Sequence, residues 1–116
     1  MNLDWDQVVA FALSLSDTET ASHYGAPSVK VNGHAIISPG REPGSFCLII
    51  DRDTVDMLKD TDPHTYWQTP HYVGWPAVLV RYDTNDPERV LHMIEAAHAW
   101  NAARPKSKAR ARKAKT

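Results

Sequence analysis

The chain has 116 residues, 42% hydrophobic and 23% charged, an ordinary balance for one globular domain with its own core. No apolar run approaches the roughly 20 residues that span a bilayer; the acidic start "MNLDWDQ" lacks the basic and apolar regions of a secretory signal; and one cysteine, Cys47, excludes an internal disulfide or a CxxC metal knuckle, so a soluble cytoplasmic protein is expected. The net charge of −1 hides a split: residues 1–103 carry all 14 carboxylates against six cations, a body of −8, while residues 104–116, "RPKSKARARKAKT", carry seven cations and no carboxylate.

Residues 3–15 read as a helix, because Trp5, Val8, Ala12 and Leu15 fall on one face, widened by Val9 and Phe11. Asp4 and Asp6 sit near its start, where the helix dipole favours negative charge. A strand is expected within "TETASHY". Next, "SVKV", Asn32-Gly33 and "HAII" form a hairpin signal, since a type I′ turn needs positive φ at both central residues. "SPGREPGS" reads as a loop, and the apolar run "SFCLII" (45–50) as a buried central strand.

Asp51 is placed to cap a short helix over about 52–60, with Val55 and Leu58 inward, Met57 nearby and Pro63 preventing continuation. "TYWQ" is a candidate short strand and "AVLVRY" (77–82) a further one. "DTNDPE" then opens a last helix, with Asp86 as N-cap, Pro87 at N1 and Glu88 in the first turn. Leu91, Ile94 and His98 share one face of this helix, beside Val90 and Ala97, and Met93 and Trp100 form a second stripe. It runs to about Ala103. Strands clustered between terminal helices predict an α+β fold, an antiparallel β-sheet with the N- and C-terminal helices packed on one face. The expected domain spans 1–103. From Arg104 onward no large apolar residue remains, so 104–116 is expected to be a disordered basic tail when free.

One stretch, "TPHYVGWP" (69–76), is too rich for a plain connector. Read structurally, Pro70 and Pro76 stiffen the chain, Gly74 admits a positive φ, and Tyr72 and Trp75 pack. Read functionally, Thr69, His71, Tyr72 and Trp75 line a pocket that Tyr24 and Lys30 join. Together, "HYGAPSVKVNGHAI" and "LIIDRDTVDMLKDTDPHTYWQTPHYVGWPAVLV" resemble the MmcQ/YjbR family of small bacterial proteins. The likeness rests on Tyr24-Gly25-Ala26-Pro27, Lys30-Val31, Thr69-Pro70-His71-Tyr72, Gly74-Trp75-Pro76 and Val78-Leu79-Val80, in order over about residues 3–103. The resemblance implies a compact CyaY-like α+β domain. It also implies DNA binding, by analogy with a double wing of paired hairpins, and no settled enzymatic activity. The basic tail lies outside the shared pattern.

The chemistry-bearing residues point to no catalytic site. His23, His34, His64, His71, His92 and His98 form no HExxH or close His-x₃-His pattern, so neither a metal nor another cofactor is expected. Cys47 inside "SFCLII" reads as a small buried hydrophobe. Asp51, Asp53 and Asp56 read as capping and first-turn charge, and there is no G-x-S-x-G elbow or phosphate loop. The tail is the sharper signal: Arg104, Lys106, Lys108, Arg110, Arg112, Lys113 and Lys115, spaced by small residues, would follow phosphates through counterion release, without an aromatic to read bases. In the body, Lys30, Arg41 and Arg81 are the candidates for a basic face, and Lys30 and Arg41 lie near the two loops where the wings would be. The expectation is a non-enzymatic protein binding DNA non-specifically, with no membrane partner; the alternative is a small-molecule or peptide pocket around TPHYVGWP.

Overall fold

The computed structural model describes residues 3–23, 26–40 and 42–105. In chain order they form α1 (Trp5–Leu13), β1 (Thr18–His23), β2 (Ala26–Val31), β3 (His34–Pro39), β4 (Ser45–Ile49), α2 (Arg52–Thr61), β5 (Tyr66–Trp67), β6 (Ala77–Arg81) and α3 (Pro87–Ala102). The six strands make one antiparallel sheet in the order β1-β2-β3-β4-β6-β5. The expected α+β class is therefore what the chain forms.

Each helix starts where a short acidic side chain can satisfy an orphan amide. Asp4 accepts from Gln7 N at 2.8 Å, Asp51 from Thr54 N at 3.1 Å, and Asp86 from Arg89 N at 3.1 Å. All three helices pack on one face of the sheet. Val8 and Ala12 of α1, Val55 and Leu58 of α2, and Val90, Ile94 and Ala97 of α3 meet Val29, Ile37, Phe46, Leu48, Tyr66, Val78 and Val80 in a single core. α1 is shorter than its periodicity predicts, stopping at Leu13, where Ser14 turns its hydroxyl back onto the Phe11 carbonyl at 2.6 Å. Leu15 still packs against the core from the following turn.

The hairpin between β2 and β3 turns on Asn32 (φ 54°) and Gly33 (φ 81°), the pair of positive φ angles a type I′ turn needs. A bulge follows: Val29 pairs with Ile37 and Lys30 with Ala35, which leaves Ile36 as the extra residue. The alternation is thereby broken, and Ile36 and Ile37 are both fully buried on the helix-covered side. Period-two reading cannot anticipate this. Nor is "SPGREPGS" loop throughout: Ser38 and Pro39 extend β3 by pairing with Cys47 and Phe46, and Ser45 already begins β4. The buried "SFCLI" strand lies centrally, between β3 and β6, as its continuous apolarity predicts.

The inward stripe of α3 is Val90, Ile94, Ala97 and Asn101. Leu91 and His98 are only half-buried, so the core face lies one position round from the stripe read in the sequence. Asn101 is fully buried because its amide Nδ2 donates to the carbonyls of Ile49 at 2.9 Å and Ala97 at 2.8 Å, pinning the last turn of α3 to the end of β4. The described residues continue through Arg104 and Pro105. The Arg104 guanidinium lies 4.6 Å from the centre of the Trp100 ring and donates to Asn101 Oδ1 at 3.0 Å, while the Arg104 carbonyl accepts from Asn32 Nδ2 at 2.7 Å. The Pro105 carbonyl meets His34 Nε2. The first two residues of the basic segment are thus fastened to the β2–β3 turn.

Candidate functional site

The TPHYVGWP segment joins β5 to β6 across the face of the sheet opposite the helices. Two successive turns shape it: Tyr72 N donates to Thr69 O and Trp75 N to Tyr72 O, both at 2.9 Å. Gly74 adopts φ +85°, a conformation that a side chain would strain. Gln68, the residue just before the motif, organises the whole loop. Its Nε2 donates to the carbonyls of Tyr72 at 3.0 Å and Ala77 at 2.8 Å and approaches that of Trp75 at 3.4 Å, while its Oε1 accepts from Lys59 Nζ of α2 at 2.7 Å.

Within this frame the motif's side chains divide. Tyr72 packs inward with Ile49 and Trp67 against Cys47, Ala77 and Leu79, a second small core on the far side of the sheet. Cys47 is hydrogen-bonded through its side chain to Tyr72 and Ser38, and burial pushes its thiol up to about 11, so it stays protonated and poorly nucleophilic at neutral pH. Thr69 is half-buried and His71 exposed, with the imidazole edge-on to the Tyr72 ring at 5.0 Å. Val73 and Trp75 project outward, 65% and 64% exposed. TPHYVGWP is therefore a braced corner that packs one half-buried aromatic against the sheet and displays another.

Of the other predicted site residues that are described, Lys30 lies apart from it and Arg81 touches only the neighbouring Trp67 and His64. Lys30 lies on β2 directly opposite Glu19 of β1, three strand steps or roughly 14 Å from β6 at about 4.8 Å per step. Arg81, at the end of β6, stacks over the Trp67 ring at 4.5 Å and donates Nε to the His64 carbonyl at 3.0 Å. Lys30 and Arg81 consequently share no basic cluster. The two turns expected to act as wings stand at opposite ends of β3, the Asn32-Gly33 turn before His34 and the next loop after Pro39. Tyr24, Arg41, Lys106, Lys108, Arg110, Arg112, Lys113 and Lys115 lie outside the described residues.

Two residues that position this region had little signal in the sequence. Gln68 precedes the conspicuous motif, and Asn101 is a polar residue in an otherwise apolar stripe. Among the described residues no three His, Cys, Asp or Glu side chains come together to hold a metal, and no helix is long and apolar enough to cross a membrane. No protein-family model matches the chain, and no curated protein or solved structure does so either.

Proposed function

We propose that this is a non-enzymatic DNA-binding protein of the MmcQ/YjbR type, whose affinity for the phosphate backbone resides in its basic C-terminal segment. The carrying observation is the charge split: seven cations within residues 104–116, on a body of −8. Of the body's two described candidates for a basic face, Lys30 stands opposite Glu19 and Arg81 is engaged with Trp67 and His64. Arg104 is held by Trp100 and Asn101, which leaves six cations after Pro105 to meet phosphates. The small residues between them favour contacts without sequence preference. The pocket alternative has less support, because Tyr72 packs onto the sheet and Lys30 stands apart from it.

Fluorescence anisotropy with a labelled duplex, run as a salt series on residues 1–116 and 1–105, tests this reading. The shorter chain keeps every packing contact of the described fold. Full-length protein is expected to bind with a slope of log K against log salt near about −5, the value for six neutralised phosphates on duplex DNA, and the shorter chain to lose binding. Equal affinity of the two chains would refute the tail as the DNA element.

A further inference from the structure

The exposed tip of the β5–β6 loop and the root of the basic segment stand at the same end of the sheet. Two hydrogen bonds connect them. The carbonyl of Pro76, next to Trp75, accepts from Ile50 N at 3.1 Å, and the carbonyl of the adjacent Ile49 accepts from Asn101 Nδ2 at 2.9 Å in the last turn of α3. Arg104 and Pro105 follow at once, held to the Asn32-Gly33 turn of the same sheet end. The eleven residues after Pro105 can reach at most about 36–40 Å when extended.

Leaving an indole and a valine in water on a braced loop forgoes burial that either could gain elsewhere. The bracing by Gln68 and Lys59 fixes the loop backbone, so Trp75 is presented with little ordering left to lose on binding. Residues 63–82 contain no carboxylate, although the body as a whole is acidic, and carry His64, His71 and Arg81. The acids nearest the loop belong to α2: Asp51, engaged with Thr54, Asp53, and the exposed Asp56, whose carboxylate lies 4.0 Å from the Lys59 ammonium that holds Gln68. They disfavour phosphates on that side of the body but not the neutral face of a base.

From this placement we propose that Trp75 is a stacking platform for an unpaired base, and that the ligand is a single-stranded nucleic acid whose phosphates the basic segment follows. The inference rests on the tail reading above and deepens it. An aromatic face binds any base through its π-system, while a cationic chain tracks the backbone, which together define sequence-tolerant single-strand binding. In an intact duplex the bases are stacked on one another and offer Trp75 no face.

Anisotropy with a labelled oligothymidylate and with a duplex of the same length, on full-length protein, Trp75→Ala and Trp75→Phe, decides the matter. Trp75 is exposed, so neither substitution removes core packing. The wild type is expected to prefer the single strand. Trp75→Ala should weaken single-strand binding at least about fivefold, the lower bound for loss of one stacked base, and leave duplex binding unchanged. Trp75→Phe should retain most of the affinity. Unchanged single-strand binding by Trp75→Ala overturns the stacking role while leaving the tail reading intact. Absence of salt-sensitive binding to both nucleic acids overturns both. If sedimentation instead shows a wild-type oligomer that Trp75→Ala dissociates, with single-strand binding unaltered, the tip is a protein interface and the proposal falls.

Discussion

Asn101 is the joint between α3, the central strand and the root of the basic segment, and its removal should be costly. The side chain is fully buried, and its amide supplies hydrogen bonds to the carbonyls of Ile49 and Ala97 while its Oδ1 accepts from Arg104. In Asn101→Ala the part-buried Ile49 carbonyl loses that donor, a cost of about 1–3 kcal/mol. The vacated volume adds a cavity contribution of about 1 kcal/mol. The expected destabilisation is about 2–4 kcal/mol, a large share of the stability of a domain this size. Urea unfolding followed by tryptophan fluorescence and far-UV circular dichroism measures it. With a slope of about 2 kcal/mol/M, the midpoint should fall by roughly 1–2 M at constant slope. Asn101→Leu, which restores volume but supplies no donor, should recover only the cavity contribution. A midpoint within about 0.3 M of wild type for Asn101→Ala would show that the bond to Ile49 does not hold α3 to the sheet, and the reasoning would fail.

Two further outcomes are expected. Tyr66 is buried with its hydroxyl unpartnered among the described residues, beneath Arg89, whose guanidinium lies 5.6 Å from the ring centre. Tyr66→Phe keeps the ring and removes the orphaned hydroxyl, so it should be neutral or stabilising by about 1 kcal/mol; a urea midpoint clearly below wild type would reveal a partner for that hydroxyl. The pH dependence follows from three acidic groups, each raised first of all by burial: Cys47 from 9.0 to about 11, and Tyr66 and Tyr82 from 10.0 to about 12. Because the fold binds these protons more tightly than the unfolded chain does, their contribution is complete below about pH 9 and is lost as pH rises toward about 12. Urea midpoints should decline across that window, and Cys47→Ala should move the onset up toward the ordinary tyrosine value of 10.0. An onset unmoved in Cys47→Ala would show that the thiol does not contribute.

Much of this architecture could be read residue by residue, because its causes are local. Asn32-Gly33 selects a type I′ turn, Asp51 and Asp86-Pro87 start helices, and the unbroken "SFCLI" marks a strand covered on both faces. The misplacements arise where packing overrides period. The Ile36 bulge turns two consecutive isoleucines to one side, and the α3 face shifts by a position so that Asn101 can reach Ile49. Of the candidate site, the sequence marked TPHYVGWP and the seven-cation segment. It could not assign Tyr72 to the inside and Trp75 to the outside, since that depends on which strand face the loop crosses and on the grip of Gln68.

Composition and local chemistry alone determine an acidic α+β body joined to a cationic segment, because charge and turn preference belong to single residues and short windows. Only the tertiary structure separates Lys30 from Arg81 and brings Trp75 to the sheet end that holds Arg104 and Pro105. The physical reason is that neighbourhood across a sheet is fixed by strand order and register, and these are settled by the long-range burial of one face against three helices.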